Sequence, residues 1–169
     1  MKYLSLLSLL FIFSCSQMEI KTVSELDLNK YSGLWYEIER FPNSFEKGLK
    51  CVTAEYQLMD NGKIKVINSG FNTEKNKRKE TVGKAYVPNK SKPGEIKVTF
   101  FWPFYGDYNV LFLDEEYKYA LVGSKSRKYA WILSREIKVN EDIINKIKDV
   151  ASEQGFDISN FKRIEHDCN

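Results

Sequence analysis

Val52-Thr53-Ala54-Glu55-Tyr56-Gln57-Leu58-Met59, then Asp60-Asn61-Gly62, then Lys63-Ile64-Lys65-Val66-Ile67-Asn68-Ser69-Gly70: this stretch sets the period of the chain. Ala54, Tyr56 and Leu58 recur at every second position, which puts them on one face of a strand. Asn-Gly accepts positive φ at little cost and so closes a tight hairpin. Ile64, Val66 and Asn68 then share a face of the return strand. The pattern continues on both sides. Trp35 to Phe41 alternates and stops at Pro42, and Arg78 to Val87 follows the hairpin. Glu95 to Phe101 alternates strictly, with Ile96, Val98 and Phe100 on one face. Trp102 to Asp107 reads as a turn, and Tyr108 to Leu113, with Tyr108 and Val110 on one face, begins the next strand. Tyr117 to Gly123 and Tyr129 to Arg135 complete a set of eight. Short strands at even spacing, joined by turns, predict an antiparallel up-and-down barrel or a sandwich.

One helix follows the strands. Asn140 is placed to cap it, and Glu141 and Asp142 lie in the first turn, where the helix dipole favours acids. Ile143, Ile144, Ile147, Val150 and Ala151 form one apolar stripe at helical spacing, which predicts packing against the outside of the sheet. Gly155 stands where a glycine ends a helix. Phe161 to Glu165 is a candidate for a short last strand.

The bulk numbers fit one domain. The 169 residues are 43% hydrophobic and 14% aromatic, enough for a core built on strands. The formal net charge is only +3, with both signs interspersed. Nucleic-acid binding is therefore not expected, since it calls for a clustered basic face. The one dense basic run, Lys75 to Lys79, reads as a solvated turn.

The first residues carry a different signal. Lys2 precedes an apolar run from Leu4 to Phe13, the length of a signal peptide and too short for a bilayer span of about 20 residues. Ile12-Phe13-Ser14-Cys15 resembles the lipobox of bacterial lipoproteins, in which the cysteine is acylated after cleavage before it. Residues 1–14 then form the signal peptide, 15–29 a polar spacer from the membrane, and 30–169 the folded domain. Ser16, not Asp, follows the cysteine, which in that sorting pattern implies the outer membrane. The alternative is an ordinary secretory signal with an incidental Cys15. With Cys15 acylated, Cys51 and Cys168 remain, and two thiols in an oxidising compartment most simply form one disulfide. Catalysis or metal binding through either cysteine is the rival reading, but no His lies near Cys51 in sequence and the chain has only one, His166.

Longer strings now carry a resemblance. Gly33-Leu34-Trp35-Tyr36 resembles the G-x-W motif of the lipocalin family, and Trp131-Ile132-Leu133-Ser134-Arg135 resembles its third motif. Asp114-Glu115-Glu116-Tyr117 matches the T-D-Y motif in part, with Leu113 in place of the threonine. Trp35-Tyr36-Glu37-Ile38, Arg40-Phe41, Phe45-Glu46-Lys47-Gly48, Gly83-Lys84-Ala85-Tyr86, Phe104-Tyr105-Gly106 and Tyr119-Ala120-Leu121-Val122 are similar to the branch of bacterial outer-membrane lipocalins and apolipoprotein D. The resemblance spans residues 27 to 168.

It implies an all-β, eight-stranded barrel with one α-helix packed outside. It implies that Gly33, Trp35 and Arg135 close one end, the guanidinium lying over the indole. Arg135 then faces inward, and Leu133 and Trp131 share its face. The resemblance also implies the Cys51–Cys168 pairing. Tyr56, Asn68 and Trp131 are implied to line a pocket. Alternation adds Val66, Val98, Phe100 and Tyr108 to the ligand-binding set.

The function expected is carriage or storage of a fatty acid, lysophospholipid or other amphiphile at the bacterial outer membrane. No catalysis, cofactor or metal is expected. An isomerase with a thiol in its cavity and a filled, structural envelope lipoprotein remain as alternatives. Glu37 and Glu39 share a face by strict alternation and read as solvated surface. His166 reads as surface, not as a haem ligand.

Overall fold

The structure is a computed structural model, and it describes residues 19–168. Cys15 and the signal-peptide reading lie outside the described residues. Eight antiparallel strands run β1 (Gly33–Arg40), β2 (Leu49–Leu58), β3 (Ile64–Asn72), β4 (Lys77–Tyr86), β5 (Glu95–Phe101), β6 (Phe104–Leu113), β7 (Tyr119–Gly123) and β8 (Ala130–Ser134). Each pairs with its sequence neighbour, and β1 pairs with both β8 and β2, so the sheet closes into a barrel. A short β9 (Lys162–Arg163) adds to β1. Helix α1 (Leu28–Tyr31) precedes the barrel and α2 (Glu141–Glu153) follows it.

Two apolar clusters lie on the two faces of the sheet. Trp35, Tyr56, Val66, Ile96, Val122 and Leu133 belong to the cluster inside the barrel. Ile38, Leu111, Leu121 and Ile132 point outward and pack with Ile144, Ile147 and Ala151 of α2. Strands covered on both faces read as continuous apolar runs, as Ala120-Leu121-Val122 does. Asn140 caps α2 by accepting from Asp142 N at 2.8 Å, and Gly155 after it adopts φ +79°.

Several boundaries move for physical reasons. The expected turn from Trp102 to Asp107 is shorter: Phe101 pairs with Phe104 across Trp102-Pro103, and Gly106 and Asp107 already pair with Val98 and Lys97. Tyr117 does not begin β7. The Asp114 carboxylate accepts from the backbone N–H of Lys118 and Tyr119 and holds residues 114–118 as a turn, with Tyr117 at φ +57°. Within the segment read as spacer, the chain is already on the barrel wall from Ile20. Ile20 is buried in the outer cluster, and Val23 N donates to Val110 O at 2.9 Å.

The reading of Glu37 and Glu39 as solvated surface is overturned. Both are buried, at 2% and 5% exposure. A bulge shifts the β1–β8 register between them, so they leave the strand on opposite sides. Glu37 faces the barrel interior and meets Arg40 at 3.0 Å. Glu39 faces outward, where Lys148 of α2 and Arg163 of β9 reach it at 2.7 and 3.5 Å.

Candidate functional site

One end of the barrel is sealed. Trp35 is fully buried, and its indole N–H donates to Tyr31 O at 2.8 Å. The Arg135 guanidinium lies 3.8 Å from the Trp35 ring centre. Arg135 also donates to the carbonyls of Tyr117, Leu34, Lys30, Tyr31 and Ser32 at 2.7 to 3.2 Å. A half-exposed cation over a buried indole contributes about 1–2 kcal/mol. The donor fork adds a specificity for convergent carbonyls that a lysine point charge lacks. Gly33 follows from this geometry: its φ is +97°, and an added Cβ would stand 3.4 Å from Arg135 Nη1. Above the indole, the Tyr108 hydroxyl hydrogen-bonds both Tyr31 and Tyr56 at 2.7 Å each. Burial raises the pKa of all three tyrosines, so the floor is a chain of neutral hydroxyls.

The other half is hollow. A cavity of about 760 Å³ opens between the tyrosine floor and the loops at the far end. Tyr56, Val66, Asn68, Val98, Phe100, Tyr108 and Trp131, the seven residues read from the sequence as ligand-binding, all line it. They converge because inward positions of an up-and-down barrel alternate on every strand. The Asn68 Oδ1 atom is buried and has no hydrogen-bond partner among the described residues.

Sequence reasoning missed a polar cluster in the cavity wall. Arg40 donates to Glu37 Oε2 at 3.0 Å and to Glu46 O at 2.8 Å. Trp131 Nε1 and Asn43 Nδ2 donate to Glu46 Oε2 at 3.2 and 2.5 Å. Burial and the neighbouring Glu46 hold the Glu37 carboxyl well above the usual carboxylate range, with Arg40 pulling partly back. The string Phe45-Glu46-Lys47-Gly48 was visible in the sequence, but nothing in it marks Glu46 as inward. Arg40 joins Glu37 on this side only because of the bulge after Glu37.

Cys51 and Cys168 form the expected disulfide, which fastens the tail beside β2. Among the described residues, the close set of metal-ligand types is Cys51, Asp167 and Cys168, and both of its sulfurs are committed to that bond. His166 lies outside the barrel, on Glu37 O at 2.8 Å and edge-on to Tyr36, away from the cavity. Among the described residues no helix is long and apolar enough to cross a membrane.

A barrel plugged at one end and hollow at the other defines a cup-shaped binding protein. The chain belongs to the lipocalin family: the model of the lipocalin-like domain matches residues 26–166. It is 48% identical over 139 residues to the outer membrane lipoprotein Blc of Vibrio cholerae, covering 82% of this chain and 81% of that protein. It is 44% identical over 142 residues to outer membrane lipoprotein Blc of Escherichia coli K12, covering 84% and 80%. Among solved structures, insecticyanin from the tobacco hornworm Manduca sexta superposes with a TM-score of 0.70 at 24% identity, covering 87% of this chain and 84% of that one, a likeness of fold.

Proposed function

We propose that the protein is an outer-membrane lipoprotein that holds one single-chain amphiphile, a fatty acid or lysophospholipid, in the barrel cavity. The observation that carries this reading is the cavity itself. Its volume of about 760 Å³ lies within the ordinary range of small-molecule sites, about 300–1,000 Å³. The apolar side chains of Val52, Val66, Val98, Phe100 and Leu133 line its wall. Twelve buried methylenes would contribute about 10 kcal/mol, set against an association cost of about 4–15 kcal/mol. Asn68 gives a ligand hydroxyl or head group a polar contact, because an unpaired buried acceptor costs about 1–3 kcal/mol until a donor reaches it.

The two Blc relatives are named as outer membrane lipoproteins, which supports the lipobox reading of Cys15 and the same location here. From Cys15 to Ile20 on the barrel wall are five residue steps, at most about 18 Å of chain, so an acylated Cys15 would keep the barrel close to the bilayer. An isomerase role loses its thiol, since Cys51 and Cys168 are bonded to each other. A structural role would need a filled interior.

The test is mass spectrometry of lipid extracted from the protein purified out of its own membranes. One equivalent of a single-chain lipid, and a diacylglycerol-modified N-terminal cysteine, are expected. Repeated preparations without lipid would overturn carriage, and an unmodified cysteine would overturn the anchor.

A further inference from the structure

The β5–β6 hairpin ends in Phe100-Phe101-Trp102-Pro103-Phe104-Tyr105. Phe101, Trp102 and Phe104 are 81%, 80% and 75% exposed. Single exposed apolar residues are ordinary, but a contiguous aromatic run is not. Phe45, on the β1–β2 loop at the same end of the barrel, is exposed as well. Tyrosine and tryptophan combine an apolar ring with a polar edge, the chemistry enriched where a bilayer meets water.

Charge is distributed to match. Residues 41–48, 73–76 and 124–129 are the other connections at this end, and they hold five basic side chains against two acidic, with Lys77 and Arg78 at the start of β4 adjoining them. One of the two acids, Glu46, is buried against Arg40. At the sealed end, residues 24–32, 59–63, 87–94, 114–118 and 135–136 hold six basic and seven acidic side chains. Among the described residues Lys47, Lys75, Lys77, Lys125 and Lys128 are exposed and enter no ion pair. The barrel therefore presents its positive face and its aromatic tip together. The tip is also continuous with the cavity, because Phe100, Phe101, Phe104 and Tyr105 belong to the cavity lining.

We propose that the open end docks on an anionic lipid surface, with Trp102 and its neighbours at the boundary between head groups and acyl chains. The basic loops rest against the phosphates, and the cavity mouth faces the bilayer. A lipid tail then moves between bilayer and cavity along aromatic side chains without crossing water. That last step rests on the carrier reading above, whereas the docking does not.

The test uses the full chain in vesicles of phosphatidylethanolamine and phosphatidylglycerol, with and without bromine on the acyl chains. Trp102→Phe supplies the background from Trp35 and Trp131. Trp102 is not part of the cavity wall, so this variant leaves the pocket as it is. The Trp102 contribution is expected to be blue-shifted and quenched several-fold by the brominated lipid. In a Lys125→Glu/Lys128→Glu variant the quenching should fall away, although an acylated Cys15 would still hold the protein on the vesicle. Equal Trp102 emission in both vesicle types overturns the proposal. So does a blue shift without quenching in a protein that sediments as a dimer, which would assign the aromatic tip to a second copy of the chain. Parinaric acid binding, measured on the same samples, separates the two readings. Binding without Trp102 quenching removes the docking alone, and quenching without binding removes the carrier alone.

Discussion

Glu37 shows how one residue can carry a consequence invisible in the local pattern. Its carboxyl is buried in the cavity wall beside Glu46, with one guanidinium, Arg40, against them both. Its folded pKa is raised above the ordinary 4.5, so the folded state binds this proton more tightly than the unfolded chain does. The stabilisation is complete below 4.5 and is lost as pH rises through the raised value. Glu37→Gln keeps an acceptor for Arg40 and removes the titration. Urea midpoints are expected to decline for the native protein as pH rises above 4.5, and the variant is expected to lose that decline. Parallel curves for the two proteins would refute the assignment. The inward turn of Glu37 follows from alternation with Trp35, but the outward turn of Glu39 was not legible, because a bulge is not written in Glu37-Ile38-Glu39. Trp35 and Arg135 were legible, since motif and chemistry agree: a flat ring, a planar cation and a glycine whose φ admits no side chain.

At the scale of elements, the hairpins and α2 follow from their sequences because local rules and tertiary packing point the same way. Asn61-Gly62, the alternation of β5 as far as Val98, and the 3.6-residue stripe of α2 survive. The misplaced boundaries come from side chains acting on the backbone. Asp114 binds two amides ahead of β7, and Ile20 finds a hydrophobic cluster that exists only once α2 has docked. The tail is held differently, by the Cys51–Cys168 bond across 117 positions and by Cys51 N donating to Glu165 O at 2.7 Å. Closing a loop of that length is worth about 4–5 kcal/mol in the chain-entropy account. Cys168→Ser is therefore expected to lower the unfolding free energy by about that much, read from urea titration, while fatty-acid binding persists because neither cysteine lines the cavity. A variant as stable as the native protein would show that the tail is held without the bond.

The whole molecule divides its interior into a packed half and an empty half. Below, Trp35 and the linked hydroxyls of Tyr31, Tyr108 and Tyr56 fill the barrel. Above, small and β-branched inward residues such as Ala54, Val66 and Val98 leave room that the aromatic rim does not fill. Strand order and inward faces were readable from alternation, whereas the size of the cavity depends on how the closed sheet spaces those faces. The most direct measurement is a titration of the full chain with parinaric acid, native against a Val66→Trp/Val98→Trp variant that fills the cavity from β3 and β5. A single saturable site in the native protein, weakened at least about tenfold by the filled cavity, or about 1.4 kcal/mol, is the expected result. Equal affinity in a folded variant would place the fatty acid outside the barrel and contradict the account.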